Sequence, residues 1–202
     1  MSRRFTKNIF IALAMSALFS IPSYGQSECA SCSETSANFD KASGLCLPAT
    51  IEGFEEVRFP EYVVSANRAY RNTVVAGYNR TSNRLAITAY LYDRDATPDE
   101  ADLNETRSVV AEILSVHKGG KLEMGGKGSL PLGGEATDAQ FGLFTWQEGD
   151  DDYASFLWLI PRGKRYLKLR ATYVRPNVGE SEAMKYALES VQKVATEICS
   201  PR

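Results

Sequence analysis

The stretch Tyr153-Ala154-Ser155-Phe156-Leu157-Trp158-Leu159-Ile160 decides the fold, because its alternation leaves no polar face. Phe156, Trp158 and Ile160 point one way and Leu157 and Leu159 the other. That pattern predicts a strand lying centrally in a sheet covered on both sides. Turn-forming runs bound it, Glu148-Gly149-Asp150-Asp151-Asp152 before and Pro161-Arg162-Gly163-Lys164 after. Thr137 to Gln147 and Arg165 to Val174 then complete a three-strand meander. In its last strand Lys168, Arg170 and Thr172 oppose Leu167, Leu169, Ala171 and Tyr173, an amphipathic pattern expected nearer a sheet edge.

Upstream, Thr73 to Tyr78 and Leu85 to Tyr92 read as a hairpin across Asn79 to Asn83. Val57 to Val64 is extended but interrupted by Pro60, which cannot donate to a ladder and so marks an edge or a bend. Thr97-Pro98-Asp99-Glu100 carries a Thr N-cap, Pro at the first helical position and a Glu placed for a capping box. The helix that follows has Leu103, Val109, Val110, Ile113, Leu114 and Val116 at helical spacing and ends at Gly119-Gly120. Glycine-rich turns fill Gly119 to Gly134, with a short strand between them. Asn177-Val178-Gly179-Glu180 caps a closing helix whose Met184, Ala187, Leu188, Val191, Val194, Ala195 and Ile198 form one apolar stripe.

Two helices and five or six strands predict an α+β fold, a largely antiparallel twisted sheet with helices packed on both faces as an α/β/α sandwich. This element order resembles the PsbP-like α/β/α sandwich family. The resemblance runs from about Leu47 to Cys199, through the hairpin ending Ala89-Tyr90-Leu91-Tyr92-Asp93, the long helix, the Phe141 to Val174 meander and the closing helix. It implies a small exported accessory protein, with an assembly or binding role more than catalysis. The cysteine-bearing segment before Leu47 lies outside it.

The N-terminus states an address. Arg3, Arg4 and Lys7 precede an apolar run from Ile9 to Phe19, and Ser23-Tyr24-Gly25 puts small residues at both recognition positions of a signal-peptidase site. The run falls short of the ~20 residues a membrane-spanning helix needs, so cleavage is expected, with no transmembrane segment afterwards. Ser2-Arg3-Arg4-Phe5-Thr6-Lys7 approaches a twin-arginine signal, but the strongly apolar core suits general secretion better. Cys29 follows Gln26-Ser27-Glu28, which is no lipoprotein box. The expected organisation is a signal peptide over 1–25, a flexible cysteine-containing arm over 26–46 and a single domain over 47–202, periplasmic or secreted.

A formal net charge of −2 with no basic run excludes nucleic acid as a partner. An envelope protein or a small ligand is the expected partner instead, and no cofactor is implied. The four cysteines, Cys29, Cys32, Cys46 and Cys199, all follow the signal, and an even count in an oxidising compartment favours two disulfides. Cys46 with Cys199 would clamp both ends of the domain and leave Cys29 to pair with Cys32; Cys32 with Cys46 is the competing arrangement.

Other motifs weigh less. Cys29-Ala30-Ser31-Cys32 has thiol-oxidoreductase spacing without the preceding strand and helix start, so a structural disulfide outweighs thiol-disulfide or metal handling, which stands as the alternative function. With His117 the one histidine, a zinc site lacks ligands. Asp93, Asp95, Thr97 and Asp99 alternate as calcium-loop ligands do, but Pro98 stands where the loop needs Gly and Asn104 where it needs Glu. Gly125-Gly126-Lys127-Gly128 lacks the leading Gly and the Ser or Thr of a phosphate loop. The candidate site is polar and aromatic: Tyr90 and Tyr92 with Lys168 and Arg170 could line a surface for an acidic peptide or small ligand, unless a helix covers the tyrosines. No catalytic or metal residues are assigned, and the function expected is an exported noncatalytic binding or accessory module.

Overall fold

The computed structural model describes residues 38–57, 73–93, 98–176 and 179–199. A seven-stranded antiparallel sheet dominates it. In chain order its elements are β1 (Phe39–Asp40), β2 (Leu45–Cys46), β3 (Glu55–Val57), β4 (Val74–Arg80), β5 (Leu85–Asp93), α1 (Pro98–Val116), β6 (Lys121–Leu132), β7 (Glu135–Glu148), β8 (Asp151–Arg162), β9 (Arg165–Val174) and α2 (Glu180–Glu197). The large sheet runs β3-β4-β5-β9-β8-β7-β6, and β1 with β2 forms a separate two-stranded ladder.

The alternation of β8 explains its place. Phe156, Trp158 and Ile160 join Leu167, Leu169, Ala171 and Tyr173 of β9 and Leu85, Ile87, Ala89 and Leu91 of β5 in the main core. Ala187, Val191, Val194 and Ala195 of α2 close that core, so the helix's apolar stripe seats against this face. Leu157, on the opposite face, packs with Phe144 and Trp146 against Val109 and Ile113 of α1. The β6–β7 turn shows why its glycines are needed: Gly133 and Gly134 have φ of 60° and 84°, the left-handed pair of a tight hairpin. A Cβ on Gly133 would also meet the Ile198 carbonyl at 3.2 Å.

Four expectations are corrected. The molecule is mostly β with only two helices among the described residues, so the α/β/α sandwich gives way to an antiparallel sheet carrying two helices. Helical and strand periodicities are both real, but long strands from every hairpin outgrow what two helices can cover. Second, the glycine-rich region is not mainly turn: Lys121–Leu132 is a 12-residue edge strand paired along β7. Its ladder hydrogen bonds override the poor strand propensity of glycine. Third, β9 is the middle strand of seven, because α1 covers its polar side chains instead of solvent. Fourth, the arm is part of the fold from residue 38 onward, where β1 and β2 pair and Asp40 is buried.

Cys29, Cys32, the signal segment, Arg58 to Val64 with Pro60, Thr97, and the cap residues Asn177 and Val178 lie outside the described residues.

Candidate functional site

The register of β9 brings the four polar and aromatic candidates together. Tyr90 stands opposite Lys168, and Thr88 opposite Arg170, so Tyr90, Tyr92, Lys168 and Arg170 share one face of the sheet. α1 lies across that face, and the side chains meet it. Lys168 is buried, its Nζ 3.6 Å from Glu112 Oε2 and 4.8 Å from the centre of the Tyr90 ring. Burial lowers the Lys168 pKa, and the Glu112 carboxylate works against that fall. Tyr92 donates its hydroxyl to Glu105 Oε1 at 2.6 Å, and burial raises its pKa, as it does for Tyr90.

Arg170 links to the end of the same helix. Its Nε donates to Ser155 Oγ at 3.0 Å and its Nη2 lies 2.9 Å from His117 Nε2. A guanidinium can only donate, so His117 presents an unprotonated nitrogen there. The imidazole stacks on Trp146 with centroids 3.9 Å apart, and Trp146 in turn stacks on Tyr153 at 5.4 Å. Burial and the adjacent Arg170 lower the His117 pKa, while Glu148 opposes them.

Sequence reasoning finds the sheet half of this layer and misses the helix half. Glu105 and Glu112 stand seven residues apart, two helical turns, and therefore on one side of α1. That spacing is the available signal, masked by the apolar positions that dominate the reading of the helix. The layer holds its charges on one another: Tyr92 and Lys168 meet Glu105 and Glu112 of α1, Arg170 meets Ser155 of β8, and Tyr90 receives the Lys168 ammonium over its ring.

A different feature opens beside it. On α1, Val109 and Ile113 turn to the sheet, while Val110 and Leu114, each one residue later, turn toward β6. There the opposing strands carry Gly125 and Gly142, paired on the face under α1, which supply no side chain to fill the gap. The result is a groove of about 530 Å³ whose walls include Val110, Ala111, Leu114, Leu122, Leu157 and Leu159. Its volume is that of an ordinary small-molecule site. Gly142 keeps the floor low, since a Cβ there would meet Phe144 Cε2 at 3.0 Å and Leu122 Cδ1 at 3.4 Å. Thr106, Arg107 and Gln140 are the polar members of the lining. A second, smaller cavity of about 370 Å³ lies by α2, among Leu85, Tyr173, Glu182 and Tyr186.

The remaining candidates fall elsewhere. Asp93 pairs with Arg165 Nη1 at 2.6 Å, while Asp95 and Thr97 lie outside the described residues. Asp151 makes a surface ion pair with Arg84 at 2.6 Å in the β7–β8 hairpin. Gly125-Gly126-Lys127-Gly128 is strand, within β6. Among the described residues no group of three or more His, Cys, Asp or Glu side chains could hold a metal ion. No helix among them is long and apolar enough to cross a membrane.

Cys46 and Cys199 face one another as an isolated antiparallel bridge, with the Cys46 N–H donating to the Cys199 carbonyl at 2.8 Å and the reverse bond at 3.4 Å. Both are disulfide-bonded, and no disulfide joins two described residues. Comparison with known proteins finds no matching family model and no similar curated protein.

Proposed function

We propose that the protein is an exported, noncatalytic binding module that takes a small apolar ligand into the groove between α1 and strands β6 to β8. The observation that supports this reading is the groove itself: apolar walls and a glycine floor, with a few polar groups along its lining. Core packing normally leaves few voids, and a helix laid on a sheet closes such a gap with side chains. Here two glycines, Gly125 and Gly142, keep it open. The leader over 1–25 and the accessory role implied by the PsbP-like resemblance agree with a module that carries or presents a ligand outside the cytoplasm.

The test is a titration with N-phenyl-1-naphthylamine, a neutral apolar dye that brightens when it leaves water. Wild type should brighten it saturably. Ala111→Phe, placed on the exposed helix side of the groove, should abolish the signal while leaving the melting temperature near that of wild type. Saturable binding that Ala111→Phe leaves untouched would remove the groove from the account.

A further inference from the structure

We propose that the groove selects a single-chain alkyl anion, with the chain against Val110, Leu114 and Leu122 and the negative head beside Arg107 and Lys127; this rests on the groove being the ligand site. Arg107 belongs to the groove lining, three and four residues before Val110 and Ala111, and so lies on their stripe of α1. Lys127 stands opposite Gln140, another lining residue, in the β6–β7 ladder and therefore on the same face. Both cations are exposed at the mouth, and neither makes a hydrogen bond or ion pair among the described residues.

Among the described residues, three nearby acids are already engaged. Glu105 accepts from Tyr92, Glu112 pairs with Lys168, and Glu123 of β6 accepts from Thr145 Oγ1 at 2.7 Å. Asp138, two positions from Gln140 on the same face of β7, offsets part of the charge. Two such cations beside an apolar wall draw an anion, and low-dielectric walls sharpen that field. A neutral ligand of the same length gains nothing from them. The groove is a recess under a helix, so it accommodates one chain and not the surface of a bilayer.

The experiment displaces the bound naphthylamine dye with dodecanoate and, separately, with dodecan-1-ol at low ionic strength. Two exposed charges at the mouth predict that dodecanoate acts at about ten-fold lower concentration than the alcohol. In Arg107→Gln/Lys127→Gln the ratio of the two should fall to about one. Equal potency on wild type would overturn the head-group proposal and leave the apolar groove standing, whereas failure of the dye to bind wild type would overturn both. Sedimentation with phosphatidylglycerol vesicles, combined with no displacement by dodecanoate, would assign the charges to a bilayer and overturn the proposal too.

Discussion

Arg165 Nε donates to both carboxylate oxygens of Asp40, at 3.1 Å each, across 125 residues of chain. The pair fastens the β1–β2 ladder to the start of β9, the central strand, with both side chains almost fully buried. Burial pushes the Asp40 pKa up, but hydrogen bonds from Arg165 and Ser43 outweigh it and hold the carboxyl below its ordinary value. A lowered carboxylate pKa contributes stability that is present above about 3.8 and is lost as pH falls toward the folded value.

Asp40→Ala should therefore destabilise the protein by about 3–5 kcal/mol, because it removes the buried carboxylate that faces the Arg165 charge. Urea unfolding measures this. A loss below about 1 kcal/mol would show that the pair does not anchor the N-terminal ladder.

Lys168→Met makes the opposite forecast. Lys168 is buried but its partner Glu112 is half exposed and can be solvated alone. Methionine fills similar volume without a desolvated charge, so stability should change by no more than about 1 kcal/mol. A loss of several kcal/mol in the same urea assay would mean that the Lys168 ammonium holds α1 to the sheet.

His117 sets a separate pH window. Its folded pKa is lowered, first by burial and then by Arg170, so the unfolded chain takes up the proton first as pH falls. The stabilisation is complete above about 6.5, the ordinary value, and declines below it toward the folded pKa. The melting temperature should fall across this window, and His117→Gln, which offers Arg170 an acceptor that does not titrate, should flatten the slope. An identical slope in the variant would exclude His117 as its source.

The sulfur pairing yields a mapping experiment. Cys46 and Cys199 are each disulfide-bonded and exchange both backbone hydrogen bonds, and no disulfide joins two described residues. Non-reducing peptide mapping should recover each of them joined to Cys29 or Cys32. A peptide joining Cys46 directly to Cys199 would restore the end-to-end clamp expected from their positions in sequence.

Much of the strand and helix layout is legible because buried alternation is a local signal. The β8 pattern of Phe156, Trp158 and Ile160 against Leu157 and Leu159 places that strand inside the sheet, and the turns on either side follow from Gly149 and Gly163. What escapes is set by partners distant in sequence. β6 is a strand because β7 pairs with it, despite Gly125, Gly126 and Gly128. β9 reads as an edge because Lys168 and Arg170 suggest a solvent-facing side, when Glu112 of α1 and His117 just past its end receive them. The groove is invisible for a related reason: it is a gap left by glycines on two strands under a third element.

The most direct measurement is a methyl NMR titration of the wild-type protein with the neutral naphthylamine dye. The methyl signals of Val110, Leu114, Leu122 and Leu157 should shift together and saturate at one dye per chain. Shifts confined to Leu85 and Ala187 beside α2, or none at all, would contradict a ligand site in the groove between α1 and the sheet.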